Sequence, residues 1–274
     1  MSNPILTICS REIKNTVTNH YLLGMTLLLA ILSLSLMLLG DTPFGSTGVN
    51  KLSMQITSLS SLSIFFIPLM ALFLSYDAIV GENEQGSLLL MLSYPIKRSE
   101  FVLGKFIANW VSLSIAIVLG YGAILLLSLF DNNLTTEFIY AYLGLVFTSI
   151  LLGGAFTAMA LLISVVVIQR GTAIIYCIAV WLFFVIFFDM ILLIVLTSKY
   201  NYIISTNALS GIMLFNPIDI FRIISISEQG SNLLPLQALS KITELPQSVL
   251  ISSMFVWIVT PLMGAIDLLK KKDL

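Results

Sequence analysis

Polar positions along this chain gather between long apolar runs instead of alternating within them. Six such runs stand out, at 21–40, 57–80, 101–130, 138–168, 172–197 and 248–269. Each reaches the roughly 20 residues that an α-helix needs to cross a bilayer. Stretches such as LLGMTLLLAILSLSLMLLG and YCIAVWLFFVIFFDMILLIVL are unbroken, whereas a membrane β-barrel would show segments of about ten residues alternating in polarity. The pattern predicts an all-α integral membrane fold with six transmembrane helices. No tandem repeat is visible and no second domain is needed, so residues 1–274 form one membrane domain.

Three mixed segments complete the layout. The first, 3–20, opens with Asn3 as a helix cap and Pro4 at the first helical position, where its fixed φ is pre-set for the turn. Leu6, Cys9, Ile13 and Val17 share one stripe, and Arg11, Glu12, Lys14, Asn15 and Thr18 fill the remainder. An amphipathic helix of this kind is expected to lie along the membrane surface; a plain extension of the first span is the alternative. The second segment, 82–98, lies within VGENEQGSLLLMLSYPIKRSE. Gly81 is expected to end the second span as a left-handed cap. A stub helix over SLLLML then starts near Glu82 or Glu84, whose carboxylates suit a helix N-terminus. Pro95 stops it, and Ser99 is available to cap the third span. The third segment, 198–247, contains GIMLFNPIDIFRII, two apolar patches broken at Asn216 and Pro217 and each too short to cross. Irregular backbone at membrane depth survives only where protein or a cavity satisfies it, so a partly re-entrant helical element at the outer face is expected.

Composition agrees with the pattern. The chain is 58% hydrophobic and 10% charged, with a mean hydropathy of +1.03, where soluble domains carry roughly 25% charge. Its net charge of −1 gives no reason to expect nucleic acid. With the N-terminus inside, nine of the thirteen basic residues fall on the cytoplasmic side (Arg11, Lys14, Lys97, Arg98, Lys105, Arg170 and Lys270 to Lys272) and four outside (Lys51, Lys199, Arg222, Lys241). The positive-inside bias therefore predicts both termini in the cytoplasm. The first run is longer than a signal-peptide core of about 7–15 residues and lacks a small-residue cleavage site, so it reads as a retained span.

Candidate chemistry is sparse. Gly104 and Lys105 make a GK pair, but Ser99 stands where the phosphate-cradling loop needs glycine and Phe106 where it needs Ser or Thr. Nothing in this chain hydrolyses ATP by that route, and no bound cofactor is expected. His20 is the sole histidine, Cys9 and Cys177 lie far apart, and the eleven methionines are scattered singly, so packing is preferred to a copper path or another metal site. Asp189 stands about eight residues from the outer end of the fifth run, roughly 12 Å in. An intramembrane acid is a functional candidate because burying it is costly, and a hydrated vestibule or a structural role is favoured over proton transfer. Ser60 and Ser61, in a serine-rich outer half of the second span before Pro68, could line such a vestibule or simply pack against neighbours. Gly120, Gly122, Gly153 and Gly154 argue first for close helix contacts.

Glu82, Gly86, Ser87, Leu88, Leu92, Ser93, Pro95 and Arg98 compose E-x-x-x-G-[ST]-L-x-x-x-L-S-x-P-x-x-R. This resembles the cytoplasmic motif of type-2 ABC exporter permeases, where a short coupling helix receives motion from a separate ATPase subunit. YDAIVGENEQGSLLLMLSYPIKRSEFVLGKF, WLFFVIFFD and LFNPIDIFRI extend the likeness over nearly the whole chain. They are similar to the NosY-type membrane subunits of the transporter that matures nitrous oxide reductase. The resemblance implies a homodimer in the bacterial inner membrane, with NosF-type ATPase subunits carrying ATP and Mg inside. It also implies a β-helical NosD-type partner outside and a part in assembling copper centres, by transmitted motion or by export of a sulfur species. By the same resemblance, Glu82, Glu84, Gly86, Leu88, Leu92, Pro95 and Arg98 couple to the ATPase, and Asn216, Pro217, Asp219 and Arg222 meet the periplasmic partner. Three readings compete with this one: a type-2 exporter for a drug, lipid or saccharide, an ion-coupled carrier using Asp189, and a passive membrane scaffold.

Overall fold

A helix that is apolar all round is stable only where apolar matter surrounds it. In this computed structural model, which describes residues 4–39, 51–93, 96–130, 136–197, 206–228 and 245–272, the central helix is surrounded by protein. The described elements in order are α1 (Pro4–Thr18), α2 (Tyr21–Leu39), α3 (Lys51–Ser75), α4 (Asp77–Glu84), α5 (Ser87–Leu92), α6 (Arg98–Phe130) and α7 (Thr136–Val166). They continue with α8 (Arg170–Leu182), a π-helical turn at Phe183–Phe187, α9 (Phe188–Thr197), α10 (Thr206–Met213), α11 (Pro217–Glu228) and α12 (Gln247–Lys271). The most apolar stretch of α7 is 78% buried, packed by α3, α6, α11 and α12, while α2 and α1 lie on the far side of α6. The fifth span, α8 to α9, stands at the edge with only 11% of its equivalent stretch buried.

Five helices among the described residues are long and apolar enough to cross a membrane, and the count is six if the α1 and α2 pair, bent by 63°, is taken as one broken span. The bend sits at His20, whose φ of 58° is left-handed. It turns the amphipathic α1 away from the apolar α2, as a surface helix requires.

Close helix approaches need missing side chains. A Cβ on Gly154 would lie 2.9 Å from Trp110 Nε1, which donates to Ile150 O at 2.9 Å and locks α6 to α7. One on Gly120 would lie 2.6 Å from Leu29 Cβ, where Ser33 Oγ donates to the Gly120 carbonyl at 3.2 Å. Gly122 faces open space instead. Buried hydroxyls pair across helices at Ser63 and Tyr121 (2.7 Å), and Asn109 donates to Ser75 (3.1 Å). Such bonds contribute on the order of 0.6 kcal/mol each in a membrane interior.

The second span departs from expectation. It runs on with helical backbone at Tyr76, through Gly81 to Glu84, and the left-handed glycine is Gly86, with φ 69°. Gly81 is instead a contact glycine: its Cβ would enter the Asp77 carboxylate and come within 2.7 Å of Arg170 Nη2. Glu82 and Glu84 therefore close the second span and do not open the stub helix. α6 begins at Arg98, so Ser99 lies inside it, and Glu100 Oε2 accepts from the Lys97 N–H at 3.1 Å to hold the first turn. Pro95 lies outside the described residues, as do 198–205 and 229–244 of the external segment.

Candidate functional site

Two charged junctions stand at opposite ends of the bundle. At the Lys- and Arg-rich rim, α4 presents three carboxylates, Asp77 in its first turn and Glu82 and Glu84 in its last, where the backbone dipole disfavours negative charge. Basic residues from neighbouring helices offset this. Lys105 of α6, its side chain only 3% exposed, donates to Glu82 Oε1 at 2.8 Å and to Glu12 Oε1 of α1 at 2.9 Å. A buried ammonium ion is tolerated only when paired in this way. On the other flank, the Arg170 side chain lies over Gly81 and donates to its carbonyl at 3.1 Å, with Nε 2.8 Å from Asp77 Oδ1 and 3.3 Å from Glu84 Oε2. The Asp77 contact is an ion pair by distance without hydrogen-bond alignment. Glu84 also accepts the Arg170 backbone N–H at 2.8 Å, so its carboxylate caps the N-terminus of α8. A polar cavity of about 460 Å³ opens beside this network, lined among others by Arg11, Asn15, Tyr76, Asp77, Glu82 and Lys105.

The left-handed Gly86 turns the chain into α5. Leu88 is buried, whereas Leu89 and Leu90 are 55% and 70% exposed. Among the described side chains of α5, which do not include that of Leu92, the exposed apolar surface is Leu89 and Leu90, neither singled out by the motif. Arg98 points elsewhere: its Nη1 donates to the carbonyls of Leu269, Lys270 and Lys272 at 2.7 to 3.0 Å. That caps the C-terminus of α12, and Lys272 Nζ ties the same end to Val165 O of α7 at 3.0 Å.

At the opposite rim, Asn216 caps α11 through Oδ1, which accepts from Ile218 N at 2.9 Å, with Pro217 at the first helical position. Asn216 Nδ2 donates to Asp219 Oδ2 and to Phe184 O, both at 3.1 Å. Arg222 grips Asp189 bidentately, Nη2 to Oδ2 at 2.8 Å and Nη1 to Oδ1 at 3.2 Å, and its Nη1 also donates to Asp219 Oδ1 at 3.0 Å. Burial pushes the Asp219 carboxyl up to about 6, against the pull of Arg222. Asn216, Pro217 and Asp219, expected on a partner-facing surface, are buried within the chain. Their polar groups are spent on the cap and on Arg222. Asp189 is held by a cation and does not stand alone, Ser60 is buried, and Ser61 is exposed with its hydroxyl returned to Thr57 O at 3.0 Å.

Residues 6–274 match the family described as ABC-2 family transporter protein. The chain belongs to that family. Two relatives named "Probable ABC transporter permease protein NosY" agree with the match. The one from Stutzerimonas stutzeri is 33% identical over 277 residues, spanning 98% of this chain and 99% of the relative. The one from Pseudomonas aeruginosa is 35% identical over 225 residues, spanning 81% and 82%. The chain is thus a multi-pass ABC transporter permease subunit similar to NosY. Its α4 junction shows what the motif residues do within a single permease. Glu82 grips Lys105 of the third span, which in turn holds Glu12 of α1, and Glu84 grips Arg170 at the start of the fifth. In the sequence pattern Arg170 bears only on orientation, and Lys105 on orientation and on an incomplete GK pair. The signal that marks Lys105 is its place four residues inside an apolar run, since a charge there needs a partner.

Proposed function

We propose that this permease subunit receives mechanical work from a cytoplasmic ATPase through α5 and passes it to the membrane helices through the carboxylates of α4. The observation that supports this most is the double grip of α4: Glu82 on Lys105, and Asp77 with Glu84 on Arg170. A displacement of α5 acts through the Gly86 elbow on α4, and from there on α1, α6 and α8 together. The exposed Leu89 and Leu90 are suited to a groove on the ATPase, as short apolar helical anchors are. The basic rim is then cytoplasmic, with both termini inside the bacterial inner membrane, and the α10 to α11 hairpin faces the periplasm.

The thinly buried fifth span is covered by a second copy in a homodimer. By likeness to its NosY-named relatives, the subunit works in maturation of nitrous oxide reductase. NosF-type subunits hold ATP and Mg, and a NosD-type β-helical protein meets the periplasmic face. It serves copper-centre assembly by transmitted motion or by export of a sulfur species. An exporter of a drug, lipid or saccharide is the alternative within the same family.

Affinity capture from native membranes, with identification of the bound proteins, tests the assembly. Recovery of an ATPase and a periplasmic β-helix protein supports the reading, and recovery of the ATPase alone favours the general exporter. Glu82→Ala and Gly86→Pro are expected to insert normally but to separate ATP hydrolysis from reductase maturation. Normal coupled activity in both would refute the lever.

A further inference from the structure

The fifth span touches the rest of its chain at few places, and the strongest of them lie near its two ends. Arg170 fixes the basic end to α4. Asp189, nineteen positions on and roughly 28 Å away at the helical rise, fixes the other end to Arg222. Between them only 11% of the apolar stretch is buried. At mid-length one further polar contact ties the span to α3, where Trp181 Nε1 donates to Phe65 O at 3.1 Å, so within its own chain the helix is held by ion pairs toward its two ends and can carry a displacement along its length.

The π-helical turn at Phe183–Phe187 sets the outer grip. A π-turn takes in one extra residue, which rotates the rest of the helix by about 100° relative to a continuous α-helix. That rotation brings Asp189 onto Arg222. Within the same turn, the Phe184 carbonyl accepts from Asn216 Nδ2 at 3.1 Å. The Phe184 ring meets Trp257 of α12 edge-on at 5.4 Å, and Trp257 Nε1 donates to Leu214 O at 3.0 Å, in the turn before α11. The hairpin is therefore tied to the fifth span by two polar contacts and to the sixth by one.

We propose that the fifth span is a transmission rod that hands motion from the Arg170 and α4 junction to the α10 to α11 hairpin through the Asp189 and Arg222 pair. Arg222 is a positioning residue on this path, acting through Asp189 on the hairpin and not by touching a periplasmic partner. The inference rests on the lever reading for its source of motion, but its own joint lies at the opposite rim. Bidentate geometry matters because two parallel bonds resist rotation as well as separation.

The test uses the permease with its ATPase in nanodiscs, with Cys9 and Cys177 replaced by Ser and spin labels at Ile212→Cys and Val249→Cys, both exposed sites. The distance between the labels is read with and without ATP and Mg. Arg222→Met alone leaves Asp189 and the buried Asp219 without their cation, so every protein in the comparison, parent included, carries Asp219→Asn, and the deciding double variant is Asp189→Leu with Arg222→Met, which then leaves no unpaired charge in the cluster. The expected result is an ATP-dependent shift in the parent, lost in the double variant while thermal stability and ATP hydrolysis persist. Full retention of the shift in the double variant overturns the proposal, as does absence of any shift in the parent. Glu82→Ala separates the two readings. If it leaves the shift intact, the lever fails, and the double variant still decides the rod.

Discussion

Replacing Lys105 by Met tests the centre of the proposed mechanism with a magnitude set by the structure. Met keeps the length and the contact with the Phe101 ring, over which the ammonium now sits at 5.3 Å, but removes the charge between Glu12 and Glu82. The two carboxylates, each within 2.9 Å of Nζ, would then face each other within about 6 Å. At an effective dielectric of about 20 that repulsion is roughly 3 kcal/mol. Truncating one partner of a buried pair costs about 3 to 5 kcal/mol. The glutamates are 21% and 15% exposed, so the lower end applies. For a chain of this size, 1 kcal/mol moves the melting temperature by about 2 to 4 °C, which predicts a fall of roughly 6 to 12 °C for Lys105→Met. The assay is thermal unfolding of the detergent-solubilised protein, monitored by intrinsic fluorescence. Adding Glu12→Gln and Glu82→Gln removes the repulsion and should recover most of the loss, because a neutral cluster replaces an uncompensated one. The triple variant should still fail to couple ATP hydrolysis to helix movement. A melting temperature for Lys105→Met within 2 °C of the parent (about 1 kcal/mol or less), or no recovery in the triple variant, would refute the reasoning.

Gly81→Ala should displace the Arg170 guanidinium, since the new methyl enters its space and that of the Asp77 carboxylate; a disulfide trap between α4 and α8 should form more slowly than in the parent. Arg98→Ala should leave three carbonyls of the α12 terminus without their partner, a loss of about 1 to 3 kcal/mol. Hydrogen exchange should quicken in the last turn of α12 and not in α5; protection unchanged there would show that the cap contributes nothing. Leu90→Glu, at a 70% exposed position, should leave helix content and melting temperature unchanged while abolishing capture of the ATPase, and capture at the parent level would remove α5 as the docking element.

Sequence alone determined what depends on local composition and period. Six runs of sufficient length must be helices, because no other structure satisfies the backbone of a single apolar segment in lipid, and the amphipathic stripe of 3–20 marks a helix distinct from the first span without the 63° bend that separates them. Asn216 and Pro217 mark in the sequence a break between two short apolar patches, and the structure makes that break the start of α11. What only the tertiary structure decided was which charges meet, since a side chain's partner lies on another helix at a separation no local pattern encodes. Lys105 bonds residues 23 and 93 positions away, and Arg222 bonds one 33 positions away. Gly81 looks like a helix end because glycine does both jobs, and only the guanidinium above it shows that it clears space. The register of Asp189 was likewise hidden, because a π-turn leaves no mark in hydropathy yet moves every later side chain to a new face.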